Sequence, residues 1–156
     1  MIHDDLASNG IGVFALDFRL SNVSQYPAPV QDVSWGIRWF KINQRALGIQ
    51  ASSIGGLASS SGAQQLGLAS LCPNGGEWKL DAPEISGEDS SLNFLVAVWP
   101  VFDPLQRYYF AQRTNNTRLI SAHDTYFSDK ADMETGNPQQ LIERGDATHL
   151  PPILIL

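Results

Sequence analysis

Ser60 stands in a run of small residues, Ala58-Ser59-Ser60-Ser61-Gly62, where two different patterns meet. A short apolar run, Ile54 to Leu57, precedes it, and residues 63–71 after it can be helical. The order reads as strand, very tight turn, helix. With Ala58 in place of the first glycine and Gly62 as the second, it is one residue away from the G-x-S-x-G nucleophile elbow, in which a strained turn lifts a serine hydroxyl over the end of a strand. The flanks of such a turn must be small, because backbones come close. A hydroxyl placed there attacks an acyl carbon if a histidine takes its proton and a carboxylate orients that histidine. Ser61, the next residue, would offer its backbone N–H to the developing oxyanion. Two plainer readings stand beside this one. Three serines also make an ordinary turn. The free N–H groups of Ser61 to Gln64 could instead bind an anion, as in a flavodoxin-like domain, although no lysine follows Gly62 closely as a phosphate loop would want.

The histidines are His3, His123 and His149. His123 with Asp124 reads as a solvated pair on a polar helix. His149 lies before the last strand, at the wrong end for catalysis, and His3 lies near the chain start. Asp103 follows a strand end on the correct edge, but Asp103-Pro104 also reads as a helix start. Tyr108, Tyr109, Phe110, Tyr126 and Phe127 suit either a pocket wall or packing core. The lone Cys72 has no partner for an internal disulfide, and no metal-type Cys/His spacing is present, so neither a metal nor a cofactor is expected. Asn22-Val23-Ser24 and Asn115-Asn116-Thr117 match a glycosylation pattern that is frequent by chance.

The elements that must position Ser60 alternate. Residues 3–9 suggest a short helix ended by Gly10. The nearly continuous apolar run 11–18 reads as a strand covered on both faces. Residues 19–29 form a loop broken by Pro27 and Pro29. Residues 30–47 are the clearest helix, with Val30, Val33, Ile37, Phe40 and Leu47 on one stripe and Gly48 as its end. After the strand at 53–57, the turn and the helix to Leu71, residues 73–91 read as a long surface loop. Residues 92–98 make another apolar strand. Residues 101–149 are expected to be a helical excursion, with helices near 104–112, 117–126 and 138–144, before a last strand at 153–156. Strands alternating with helices predict an α/β fold: a mainly parallel sheet, helices on both faces, and ligands beyond the strands' C-terminal ends.

At 156 residues, 43% hydrophobic and 17% charged, the chain fits one globular domain over 1–156. A formal charge of −6 without a basic block argues against a nucleic-acid partner and favours a small neutral ligand. No apolar run approaches the length of a membrane span.

The sequence resembles the α/β-hydrolase esterase/lipase family, in particular the hormone-sensitive-lipase-like branch with its small acyl and acetyl esterases. Asp17-Phe18-Arg19-Leu20, Tyr26-Pro27-Ala28 and Asp32 resemble that family's "D-Y-R-L … F-P-A … D" run. Trp39 and Leu47-Gly48-Ile49 resemble the approach to the elbow strand. Ile54 to Gly62 falls where the family has its G-x-S-x-G. Trp99-Pro100-Val101-Phe102-Asp103-Pro104 with Arg107-Tyr108, then Asn137-Pro138 and residues 150–155, follow in the family's order. The resemblance implies a serine ester hydrolase acting on a small-molecule ester, with Ser60 as nucleophile and Ser61 at the oxyanion. It also implies a His-Gly-Gly oxyanion loop ahead of these segments, and a triad Asp and His after them. None of these falls within the 156 residues, so the chain is expected to be the central part of such a hydrolase. On that reading the lack of a signal-peptide pattern at MIHDDLASNG leaves location open, with the cytoplasm as default. The alternative is a hydrolase-like scaffold without turnover. Isolated, the chain would be marginally stable or aggregate through the apolar edge at 153–156.

Overall fold

The computed structural model describes residues 2–156. Three strands, β1 (Gly55–Ser59), β2 (Phe94–Val98) and β3 (Ile153–Ile155), form one parallel sheet in the order β1-β2-β3. The register aligns Gly55 with Phe94 and Ser59 with Val98, and on the other side of β2 aligns Leu95 with Ile153. Helix α1 (Ile2–Ser8) buries no residue, whereas α2 (Ala28–Asn43) and α3 (Ser60–Leu71) build the core. Helices α4 (Pro104–Arg113), α5 (Thr117–Tyr126), α6 (Lys130–Thr135) and α7 (Pro138–Arg144) occupy the excursion between β2 and β3. This is the α/β class expected from the alternation of patterns.

Helix α3 organises the interior. Every residue from Ala63 to Leu71 is buried, because the sheet, α2 and α7 all pack on it. Its bed on the sheet is Leu95 and Ala97, both essentially inaccessible. At Gly56 the strand comes so close that any side chain would collide with Leu66 of α3 and with Leu92. The opposite sheet face carries Leu57, Phe94 and Leu154, all exposed. Leu156 and Ile155, at the edge, are exposed as well.

Helix α2 starts two residues earlier than its apolar stripe suggests, with Pro29 in its first turn, where a missing N–H costs nothing. It ends at Asn43, short of the expected Leu47, whose side chain is exposed. Charged residues fasten the loops to it. The Arg19 guanidinium grips Asp32, with Nε to Oδ2 at 2.9 Å and Nη2 to Oδ1 at 2.8 Å, while the Arg19 amide donates to the same carboxylate at 2.8 Å. Arg38, only 1% exposed, donates to the carbonyls of Leu80 (2.6 Å), Glu88 (2.9 Å) and Ile85 (3.2 Å), and so locks the 73–91 loop. Lys41 adds an ion pair with Asp89 at 2.8 Å.

One expected element is corrected. Residues 11–18 are not a strand: the run has no ladder partner and is largely exposed. A strand exists by backbone pairing with a neighbour, and this run instead lays side chains on α2. Phe14 stacks on Phe40 at 4.9 Å and on Trp39 at 5.7 Å between ring centroids. The elbow strand also lies two residues later than expected, at Gly55–Ser59, and α6 was not anticipated.

Candidate functional site

The turn from β1 to α3 has no intervening residue: Ser59 ends the strand at φ −122°, and Ser60 begins the helix at φ 53°. A serine in the left-handed region is uncommon and costs free energy, which surrounding structure must hold in place. Trp99, directly after Val98, shares the anomaly at φ 45° and is 80% exposed. Since Ser59 and Val98 are register partners, two strained residues sit side by side at the C-terminal edge of adjacent strands. The Val101 amide donates to the Ser60 carbonyl at 3.2 Å and ties the two turns together.

Ala58 and Gly62 face one another across the elbow. A methyl group built on Gly62 would meet only the Ala58 Cβ, at 3.8 Å, an ordinary contact. The turn therefore has room for the methyl that Ala58 brings in place of a glycine. Ser60 and Ser61 are both exposed. Helices α4, α5, α6 and α7 each begin on a side-chain cap, from Asp103, Asn116, Asp129 and Asn137, but Ser59 gives α3 none. The first-turn N–H groups of α3, Ser61 among them, are thus left for another acceptor.

Ser60 opens into a cavity of about 440 Å³. Ser61 and Gln64 of α3, Val101, Arg107 of α4 and the α5 residues Arg118, Leu119, His123 and Tyr126 line it, together with Phe127. Gln64 fixes the wall to the elbow helix: its amide donates to the Gly136 carbonyl at 2.8 Å, and its oxygen accepts from the Tyr126 hydroxyl at 3.2 Å.

His123 is not the solvated residue its sequence context suggests. It is 3% exposed, and its Nδ1–H donates to the Leu119 carbonyl at 2.7 Å. The other ring nitrogen, Nε2, is buried and has no hydrogen-bond partner among the described residues. Burial holds the ring below the ordinary histidine range, and the nearby Arg107 charge acts the same way. The spacing of Leu119, Ala122, His123 and Tyr126 marks one helical face, which is the signal that could have placed His123 in the cavity.

The remaining candidates separate. His149 bonds the Leu92 carbonyl at 2.8 Å, at the N-terminal end of β2, and His3 is exposed on α1. Asp103 caps α4 through the Gln106 amide and accepts from Asn137 at 2.8 Å, so its carboxylate is occupied in joining α4 to α7. Of the aromatics, Tyr126 and Phe127 line the cavity, whereas Phe110 is exposed and the Tyr109 ring takes Lys130 at 5.0 Å. Among the described residues no group of His, Cys, Asp and Glu could hold a metal, and no helix is long and apolar enough to cross a membrane. Cys72 is buried and free.

The BD-FAE family model matches residues 1–156. Esterase LipC of Mycobacterium tuberculosis is 25% identical over 159 residues, covering 97% of this chain and 36% of LipC. An inhibited esterase B of Lactobacillus rhamnosis superposes with a TM-score of 0.74 at 18% identity, covering 97% of this chain and 47% of that one. Carboxyl esterase 2 of Tuber melanosporum gives 0.71 at 18% identity, with coverages of 99% and 50%. The chain thus spans half or less of the length of these relatives. At these identities the likeness is one of fold, and the fold is that of α/β-hydrolase esterases.

Proposed function

The chain belongs to the BD-FAE family, a family of esterase-like hydrolases, and from that premise we propose that it carries the nucleophile of a carboxylic-ester hydrolase, Ser60. The observation that supports this most is the left-handed Ser60 at the strand-to-helix junction, exposed over the cavity. In the reaction, Ser60 Oγ attacks the ester carbonyl carbon and gives up its proton to a base. The Ser61 N–H, uncapped at the start of α3, donates to the oxyanion. Collapse releases the alcohol, which takes back the proton, and water then hydrolyses the acyl-enzyme. The substrate is a small-molecule ester.

A second reading is favoured by one observation. The single histidine lining the cavity, His123, gives its Nδ1–H to a backbone carbonyl and not to a carboxylate. Without an Asp–His pair at Ser60, this chain would be a hydrolase-like scaffold that binds but does not turn over.

The two separate by intact-mass measurement after exposure to an organophosphate probe. An activated Ser60 gives one covalent adduct, mapped to its peptide and absent in Ser60→Ala. An adduct that persists in Ser60→Ala removes Ser60 from the mechanism. No adduct on the unsubstituted chain, with the fold intact, supports the scaffold reading.

A further inference from the structure

We propose that the cavity beside Ser60 selects esters whose acyl or alcohol portion carries a carboxylate, held by Arg107 and Arg118. The inference rests on the reading of Ser60 as nucleophile and adds the class of substrate. The chain as a whole is acidic, with sixteen Asp and Glu against ten Lys and Arg. The cavity is the reverse: two arginines line it and no carboxylate does. Among the described residues neither guanidinium forms an ion pair; the ion pairs there include Arg19 with Asp32, Lys41 with Glu88 and Asp89, and Lys79 with Asp81. Asp124, the acid beside His123, is exposed and does not line the cavity. The two arginines come from different helices, α4 and α5, and line the same cavity. Leu119, Val101, Tyr126 and Phe127 supply apolar wall for the rest of the ester. Arg118 is exposed and Arg107 half-buried, so the bound carboxylate stays partly hydrated and each pairing is modest.

The test uses the Ser60→Ala chain, which cannot form an acyl-enzyme, titrated calorimetrically with monomethyl succinate and with neutral dimethyl succinate. At low salt the anionic ester should bind about fivefold more tightly. High salt should shrink that ratio, and Arg107→Gln with Arg118→Gln should abolish it while dimethyl succinate still binds. Equal binding at low salt overturns the proposal, as does a preference that survives in the double variant. Should the double variant lose the neutral ester too, Arg118→Gln alone decides: it should cut the preference roughly twofold, and an unchanged preference overturns the proposal. Organophosphate labelling of the unsubstituted chain reads Ser60 separately. Charge preference without labelling sinks the nucleophile and keeps the anion site, and labelling without charge preference does the opposite.

Discussion

At position 60 glycine should be more stable than alanine, inverting the order found inside helices. In a helix interior alanine is favoured over glycine by about 1 kcal/mol. Ser60, however, has φ 53°, a region that costs a residue with a Cβ about 1–2 kcal/mol. Both Ser60→Ala and Ser60→Gly delete the hydroxyl, and the residue is exposed, so neither removes packing. Alanine keeps the strain and glycine relieves it. Against that, glycine frees the unfolded chain by about 0.4–1 kcal/mol. Taken at mid-range, the difference leaves Ser60→Gly more stable than Ser60→Ala by about 0.8 kcal/mol. Urea unfolding followed by tryptophan fluorescence reads this, with equal m-values required; buried Trp78 is a suitable probe. Equal midpoints, or a higher one for alanine, would refute the claim that the elbow stores backbone strain. Both variants should lose the organophosphate adduct, so stability and labelling would part company at one position.

Gly62→Ala should fold and be neutral or stabilising by up to about 1 kcal/mol, because the added methyl meets only Ala58; a large loss in urea would show the turn is tighter than the geometry allows. Arg38→Ala should lose about 3–5 kcal/mol, since a buried hydrogen-bonded group is removed and three loop carbonyls lose their donor. Limited proteolysis should then cut within residues 73–91, and an uncut loop with native stability would contradict the assignment. Burial raises the Asp89 carboxyl, but the Lys41 ammonium and the Ser91 hydroxyl and amide outweigh it, and its pKa falls from 3.8 to about 2. A depressed carboxylate contributes stability that is full above its unfolded pKa and lost as pH falls through the folded one. The displacement is worth about 2.4 kcal/mol unscreened, and about 1 kcal/mol once its partial exposure is discounted. Asp89→Asn should flatten the stability loss between about pH 5 and 2 by that amount; an unchanged acid limb would remove the ion pair from the account.

The elements whose evidence is local were readable in the chain. The helices near 104–112 and 138–144 announce themselves through Asp103-Pro104 and Asn137-Pro138, and the structure shows both side chains capping their helices; the cap from Asn116 on the helix near 117–126 was not read from the sequence. The small residues around Ser60 marked the turn, because only small groups fit where strand and helix meet. What depends on partners elsewhere in the chain was not readable. The run 11–18 has the composition of a buried strand, but composition does not supply a neighbour to pair with, and the run lies on α2 instead. His123 next to Asp124 looked like a surface pair. The α5 face that turns His123 into the cavity is a tertiary fact. The two arginines were likewise invisible as a pair, eleven positions apart in sequence and joined only by the cavity.

The bond from the Val101 amide to the Ser60 carbonyl has a dynamic consequence. It spans two turns that are both held in the left-handed region, so neither can relax without disturbing the other. The C-terminal end of α3 is anchored as well, by the amides of Thr148 and His149, each 3.0 Å from the Leu71 carbonyl. The helix is thus tied down at both ends, and at the elbow the Val101 amide is the backbone group that reports on Ser60. Deuterium uptake at the Val101 amide becomes a gauge of the elbow: it is protected while the turn stays shut and exchanges whenever the turn opens, with no substrate needed to report the event.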